Sequence, residues 1–229
     1  MAGQKLRKDA ARNRELLLKA GREVFARHGL DATLNDVAHY AGVGVGTAYR
    51  RFANKEELLD AIRVQQVDEI EEILHQALAV EDPWEGLVLY MEKALALNTS
   101  DRGMAQILAG RRTRAELYDA SRDRIAPLVN EIAGRARLAG AIREEITGTD
   151  LVFIQIACTS VATVVQDGPD VEGRSDVEEL YRRYLWIMLD GLRPHREGIA
   201  PLPVAALTTE QTHALLRSPL APEGEEASA

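Results

Sequence analysis

Residues 33–57 read TLNDVAHYAGVGVGTAYRRFANKEE, and this stretch decides the fold. Thr33 stands where a helix N-cap belongs, and Thr33-x-x-Asp36 has the spacing of a capping box. The helix it opens ends at Gly42, whose lack of a Cβ suits a turn. A second short helix runs from about Val45 to Phe52. Asn54 then caps a further helix, with Glu57 at its N3 position. Two short helices around a glycine turn form a helix-turn-helix, in which the first braces and the second enters the major groove of DNA. Ala38 is small enough for the pair to cross closely. Val37, Ala41, Val43, Ala48 and Phe52 point inward, which leaves Gly44, Val45, Gly46, Thr47, Tyr49, Arg50 and Arg51 on the other faces. Gly46 lets a backbone approach DNA closely. Thr47 and Tyr49 carry hydroxyls for phosphates, and Arg50 reaches a phosphate or the O6/N7 edge of guanine. Lys55 sits in the first turn of the next helix, where its charge opposes the helix dipole unless a phosphate lies alongside.

The charge distribution agrees with that reading. The chain has 229 residues and a formal net charge of -8. Residues 1–55 nevertheless hold 11 Lys and Arg against 5 Asp and Glu. A basic head on an acidic body is the footprint of a polyanion-binding protein whose body turns away from the ligand. One cysteine, Cys158, excludes an intramolecular disulfide framework. The first residues are basic and lack the apolar core of a signal peptide. No apolar run is expected to reach the roughly 18–20 residues that span a bilayer, so no membrane partner is expected and cytoplasmic residence is the simplest reading.

The rest of the chain reads as helix, and aromatics at 5% argue against a sheet. A first helix is expected over about Ala11–His28, with Leu16, Leu17, Ala20, Val24 and Phe25 as its apolar stripe. The helix after Asn54 runs to about Ala79 and links head to body. Asp82-Pro83-Trp84-Glu85 restarts the chain, with Asp as N-cap and Pro at N1. Helices follow over about 83–98, 102–110, 112–125 and 126–138, with Pro127 starting or kinking one of them. Asp150 opens the apolar helix LVFIQIACTSVATVV, and a final helix covers about 176–190, stopped by Gly191 and Pro194. The divisions are 1–55 for the DNA-binding head, 56–194 for the helical body and 195–229 for a mobile tail. The fold class is all-α.

The run Phe25-Ala26-Arg27-His28-Gly29, then Thr33, Val37-Ala38 and AGVGVGTAYRRFANKEELL, resembles the N-terminal domain of the tetracycline-repressor (TetR) family of bacterial transcriptional regulators. The family pattern G-V-S-x-G-T-x-Y-x-x-F followed by K-E-x-L is met by Gly42, Val43, Gly46, Thr47, Tyr49, Phe52, Lys55 and Glu56. The Ser-Lys often found after G-V is Gly44-Val45 here, which shifts base readout toward Arg50 and toward Val45 against thymine methyl groups. The resemblance implies phosphate contacts from Thr33, Thr47, Tyr49 and Lys55. It also implies a helical C-terminal domain that dimerises and binds a small-molecule effector. The implied function is a repressor that holds a palindromic double-stranded DNA operator as a homodimer and is released by that effector. An activator of the same fold is the alternative, and a helical protein-binding adaptor is the reading from another class.

Candidate lining for an effector pocket is Trp84, Leu87, Tyr90, Met91, Met104, Ile107, Leu108, Tyr118, Phe153 and Ile156, each of which also suits ordinary core packing. Arg111, Arg112 and Arg114 read as a solvated face. No catalytic constellation, cofactor motif or metal-ligand spacing is present: the five histidines are scattered and neither G-x-S-x-G nor a P-loop occurs. Cys158 reads as a small core residue.

Overall fold

The computed structural model describes residues 2–100 and 115–194. Every regular element among them is helical. Helix α1 spans Ala2–His28, α2 Leu34–Tyr40, α3 Val45–Arg51, α4 Lys55–Ala79, α5 Pro83–Ser100, α6 Ala115–Leu138, α7 Gly148–Asp167 and α8 Leu180–Leu192. Short 3-10 turns at Gly29–Asp31 and Val177–Glu179 precede α2 and α8.

Two separate apolar cores organise these helices. In the head, Leu17, Leu18, Val24 and Phe25 of α1 meet Leu34, Val37 and Ala38 of α2, Ala48 of α3, and Leu58, Leu59 and Ile62 of α4. The buried stripe of α1 therefore runs through Leu18, and Leu16 faces outward, because Leu17 and Leu18 both lie on the arc that carries Val24 and Phe25. In the body, Leu87, Met91 and Leu95 of α5 interlock with Val129, Ile132 and Ala136 of α6, Leu151 and Cys158 of α7, and Leu185 and Leu189 of α8. A small satellite cluster of Val165, Val171, Val177 and Leu180 pins the connection between α7 and α8.

Helix α4 belongs to both cores. Its 25 residues measure about 37 Å at 1.5 Å per residue. Leu58, Leu59 and Ile62 anchor one end in the head, while Leu74 and Ala77 anchor the other in the body. Between these anchors its carboxylates are held from two sides. Arg22 of α1 grips Glu69 with two hydrogen bonds of 3.1 Å. Arg124 of α6 donates to Asp68 at 2.7 Å and also to Glu71. Both carboxylates raise the already high pKa of Arg124, with the Glu71 hydrogen bond the larger cause. At its end, Arg135 of α6 donates to the carbonyls of Leu78 and, at 3.0 Å, Val80. Those carbonyls have no partner within the helix, so the guanidinium acts as a C-cap from a neighbouring element.

Several helix ends differ from the sequence expectation. Helix α1 begins nine residues earlier than Ala11. Over the described residues 115–138, the two helices expected at 112–125 and 126–138 are one helix, and Pro127 lies inside it. Thr147 is the N-cap of α7, and Asp150 is its N3 partner rather than its first residue. The last helix passes Gly191 and ends at Leu192, so of the two expected stops only Pro194 lies beyond its end. Its end is fastened when the Leu192 carbonyl accepts from the Arg143 N–H at 2.9 Å.

Helix α7 is also long and apolar enough, by length and composition, to cross a bilayer. The interspersed Gln155, Thr159, Ser160 and Thr163 hide this in the sequence. Three of these satisfy themselves locally: the hydroxyls of Thr159, Ser160 and Thr163 donate to carbonyls one turn back. One face of α7, through Leu151, Gln155, Cys158 and Ala162, is buried within the protein. The helices expected over 102–110 and near TTEQTHALLR, the tail 195–229 and the Arg111, Arg112 and Arg114 cluster lie outside the described residues.

Candidate nucleic-acid interface

The head holds α3 by one face only. Ala48 is fully buried and Phe52 nearly so, and both pack into the head core. Tyr49 is 48% exposed, and Arg50 beside it is exposed as well. The turn before α3 is a tight set of backbone hydrogen bonds. Gly42 takes φ +64, a left-handed conformation that other residues adopt at a cost. It lets the Val43 N–H reach the Ala38 carbonyl at 2.9 Å, which folds α3 back across α2. The Gly44 carbonyl then starts α3 by accepting from the N–H groups of Thr47 and Ala48 at 2.8 and 3.0 Å.

The outward face carries little of its own protein. A Cβ placed on Gly46 would meet nothing within 4 Å, and one on Gly44 would meet only the Thr47 hydroxyl at 3.9 Å. The head's packing therefore tolerates a side chain at both positions. Thr47 and Arg50 form a pair, with the guanidinium donating to the Thr47 hydroxyl oxygen at 2.8 Å. That bond uses a lone pair and leaves the hydroxyl proton free to be donated elsewhere. Val45 at the first position of α3 is half-buried, and so is Lys55 at the first position of α4.

Thr33 is differently engaged. Its hydroxyl donates to Asp36 at 2.7 Å and accepts from the Asp36 N–H at 3.2 Å, while the Asp36 carboxylate also accepts from the Thr33 N–H at 2.8 Å. The structure thus commits the Thr33 hydroxyl to starting α2. The hydroxyl and backbone hydrogen bonds from Thr33 hold the Asp36 carboxyl below its usual pKa. At α4 the Asn54 side chain accepts from the Glu57 N–H at 2.8 Å. The Glu57 carboxylate reaches past Asn54 to the Ala53 N–H at 2.6 Å. The Asn54 cap fixes the link after α3, and the Gly42 turn fixes the link before it, while the Thr33 box sets the start of α2.

Comparison with known proteins gives the same assignment from outside. The family model "Bacterial regulatory proteins, tetR family" matches residues 17–62. A C-terminal domain model, "Transcriptional regulator SbtR-like", matches residues 82–194. A solved TetR transcriptional regulator of Streptomyces coelicolor, SCO0520, is 30% identical, with a TM-score of 0.60, over 80% of this chain and 99% of its own. The chain belongs to the TetR family.

Two curated regulators of Pseudomonas putida, TtgW and SrpR, are each 34% identical over 88 residues. These stretches cover 38% of this chain, and 66% and 41% of the respective relatives. The fatty acid degradation regulator FadR of Bacillus halodurans, 22% identical with a TM-score of 0.62, shares the fold over 80% of this chain and 97% of its own. As a TetR-family protein the chain is a DNA-binding transcriptional regulator with a helix-turn-helix head, in a family of regulators rather than enzymes.

The residues named for an effector pocket do not all meet in this TetR-family body. Leu87, Tyr90 and Met91 are buried together along α5. Trp84 packs against the same core from its edge, with the Arg193 guanidinium 4.0 Å from its ring centroid. Phe153 and Ile156 lie apart from them, 64% and 55% exposed, because α7 buries its Leu151–Gln155–Cys158 face and turns these two outward. Met104, Ile107 and Leu108 lie outside the described residues, and Tyr118 is placed on α6 by its backbone alone.

Gln155 was missed by sequence reasoning. It is 8% exposed, the one amide on the buried face of α7. Its Nε2 donates to Met91 Sδ at 3.6 Å, and its side chain hydrogen-bonds Tyr90. Burial pushes the Tyr90 phenol up to about 12. A glutamine inside an otherwise apolar run was the available signal. Cys158 is fully buried, and burial pushes its thiol up to about 11, so it stays protonated at neutral pH. Among the described residues no His, Cys, Asp and Glu cluster fits a metal ion.

Proposed function

We propose that this TetR-family regulator binds a pseudo-palindromic operator as a homodimer and leaves it when a small molecule occupies the body. The observation that carries the DNA reading is α3, locked by Ala48 and Phe52 on one face and bare on the other. On this reading Gly44 and Gly46 admit the DNA backbone, Thr47, Tyr49 and Lys55 bind phosphates, and Arg50 and Val45 meet base edges. Thr33, which the resemblance also names for a phosphate, contributes by holding the start of α2.

The dimer reading rests on the outer face of the body. Val152, Phe153, Ile156 and Val164 of α7 and Tyr184 and Ile187 of α8 are all 40% exposed or more. Apolar groups of that size on two adjacent helices favour a self-complementary two-fold contact. Two heads related by that axis fit half-sites one helical turn apart.

Effector control needs a route from body to head, and α4 supplies it. Its middle is gripped by Arg22 from the head and Arg124 from α6. A ligand among α5, α6 and α7, against Trp84, Leu87, Tyr90 and Met91 with Gln155 as a polar anchor, moves α6 relative to α4. It thereby changes the separation of the heads, and DNA affinity falls by linkage. Repression is the sense this favours, with the protein working in the cytoplasm. The functional divisions are the head at 1–55, continued structurally to Ile62, and the body at 56–194.

The test is DNA binding followed by fluorescence anisotropy, with sedimentation as the second readout. Tyr49→Ala is expected to weaken operator binding about 10-fold or more while leaving the dimer intact, a loss of roughly 1.4 kcal/mol. Unchanged affinity in that variant removes Tyr49 from the DNA contacts. A monomer at all concentrations removes the palindromic operator.

A further inference from the structure

We infer that the effector is an uncharged, largely apolar molecule bearing a carbonyl oxygen, and that Gln155 recognises this oxygen in exchange for its contact with Met91. The inference rests on the effector reading of the body given above and names the chemistry that the site takes. Among the described residues, Thr99 and Gln155 are the buried polar side chains besides Tyr90 and Cys158, and no Lys, Arg, His, Asp or Glu is buried with them. Thr99 satisfies itself, since its hydroxyl donates to the Ala96 carbonyl one turn back at 3.2 Å. Gln155 reaches across to α5 instead. It is 8% exposed, its Nε2 donates to Met91 Sδ at 3.6 Å, and its side chain also hydrogen-bonds Tyr90. A thioether is a weak acceptor. Taking an amide out of water is costly, and a bond to sulfur offsets little of that cost. The donor is matched when an oxygen acceptor takes the sulfur's place.

The surroundings set the rest of the ligand. Leu87 and Met91 are fully buried on α5 beside Tyr90, and Leu151 and Cys158 lie one turn to either side of Gln155 on the buried face of α7. Such a lining with few polar groups suits a hydrocarbon skeleton. Burial is the main reason the Tyr90 phenol is pushed up to about 12, so it stays neutral at physiological pH. The same burial penalises a carboxylate or phosphate placed beside it. An amide N–H next to a neutral phenol, in apolar surroundings, therefore fits a neutral carbonyl. Met91 is the side chain able to yield, because an unbranched thioether chain repacks at low cost. Its exchange for the ligand is felt in the same core that holds Leu74 and Ala77 of α4, the helix that leads to the head.

Calorimetric titration of the full chain tests this with acetophenone, α-methylstyrene and benzoate, and with the same side groups carried on naphthalene. Within each set the ring is constant, and its side group is a neutral carbonyl, a planar hydrocarbon of the same shape or an anion. An aromatic ring suits contact with Met91 and Tyr90. In at least one set the acetyl compound is expected to bind about tenfold or more tightly than either counterpart. Gln155→Leu keeps an apolar side chain of similar size and is expected to abolish that preference while the protein keeps its helices. A glutamine retained only for packing would lower the melting temperature when replaced and leave the order of the ligands as it was. That order unchanged in Gln155→Leu overturns the inference. So does an acetyl compound that binds no better than its hydrocarbon counterpart in both sets, or no binding by either acetyl compound. If Gln155→Leu does not fold, Met91→Leu decides. It removes the competing sulfur and keeps the amide, so acetyl binding is expected to strengthen, and binding that does not strengthen overturns the exchange. Release of the protein from a duplex selected from a randomised pool separates the two readings. Acetyl compounds that bind through Gln155 without releasing DNA remove effector control and leave the ligand class. Release by the hydrocarbon counterparts alone removes the ligand class and leaves effector control.

Discussion

Head and body are built from the same element, an amphipathic helix, but they spend their exposed faces differently. The head buries the inner sides of α1, α2 and α3 and leaves out glycines, hydroxyls and guanidinium groups: Gly44, Gly46, Thr47, Tyr49 and Arg50. The body buries a larger core and leaves out Val152, Phe153, Ile156 and Ile187. Polar groups at fixed spacing suit a rigid, charged and hydrated partner such as DNA. Large apolar groups suit a surface that excludes water, such as a second copy of the same body. The two regions also differ in how much they depend on one another. The head core closes on itself with only the start of α4, whereas the body core gathers residues from five helices.

The sharpest way to break this contrast is to destroy one core and watch the other. Phe25 is fully buried in the head. Phe25→Ala is expected to cost about 3–5 kcal/mol and to unfold the head while the body keeps its helices. Calorimetry checks this as an early transition that separates from the main one. A single transition shifted as a whole would mean that α4 couples the cores into one cooperative unit.

Glycines give the next contrast. Gly86 of α5 lies so close to α4 that an added Cβ would sit 2.6 Å from the Ala77 backbone carbonyl oxygen. Backbone cannot step aside as a side chain does, so Gly86→Ala is expected to destabilise the body by about 1–3 kcal/mol. Gly46→Ala meets no atom of the head and is expected to stabilise α3 by about 0.5–1 kcal/mol through helix propensity. It should nonetheless weaken DNA binding, because the methyl group intrudes where the DNA backbone approaches. Paired thermal melts and anisotropy titrations test both. A Gly46→Ala protein that binds DNA as the wild type does would show that this glycine is not kept for close approach.

That contrast explains what was legible in the sequence. The head was readable because its determinants are local. Thr33-x-x-Asp36, the Gly42 turn and Ala48 with Phe52 each act within a few residues, and each formed as the spacing predicts. The body's determinants are non-local. Phe153 and Ile156 looked like pocket lining because an apolar helix carries no mark of which side meets a neighbour. Only the packing of α5, α6 and α8 against Leu151 and Cys158 decides that they face outward. Pro127 reads as starting or kinking a helix because its ring opposes a continuing one, and it lies inside α6 rather than at its start. The link from head to body was equally hidden. Arg22 and Glu69 are 47 residues apart, and Arg124 and Asp68 are 56 apart; nothing in the intervening sequence pairs them.

The smallest expected effect tests whether one local device behaves alike in both regions. Thr33 with Asp36 in the head and Thr147 with Asp150 in the body form the same arrangement. Each carboxylate accepts from the Thr hydroxyl at 2.7 Å and from the Thr N–H at 2.8 Å. In both cases the hydroxyl bond is the main cause that holds the Asp pKa below its ordinary value, with the backbone bond next. A carboxyl with a depressed folded-state pKa stabilises the fold above its unfolded-state pKa, and the contribution fades as pH falls through the folded-state value. Each box should therefore be at full strength at neutral pH and weaken below about pH 4. Thr33→Val and Thr147→Val remove the hydroxyl, so each is expected to lower the melting temperature at neutral pH, with a gap from wild type that narrows as the solution is acidified. Both carboxylates are exposed, so added salt should shrink the gap as well. If the Phe25→Ala protein melts in two steps, Thr33→Val on that background should move the head step and Thr147→Val the body step. A gap that stays constant with pH would show that the hydroxyls cap the helices without holding the carboxylates ionised. A gap that narrows in only one region would show that identical hydrogen bonds are weighted by the core behind them.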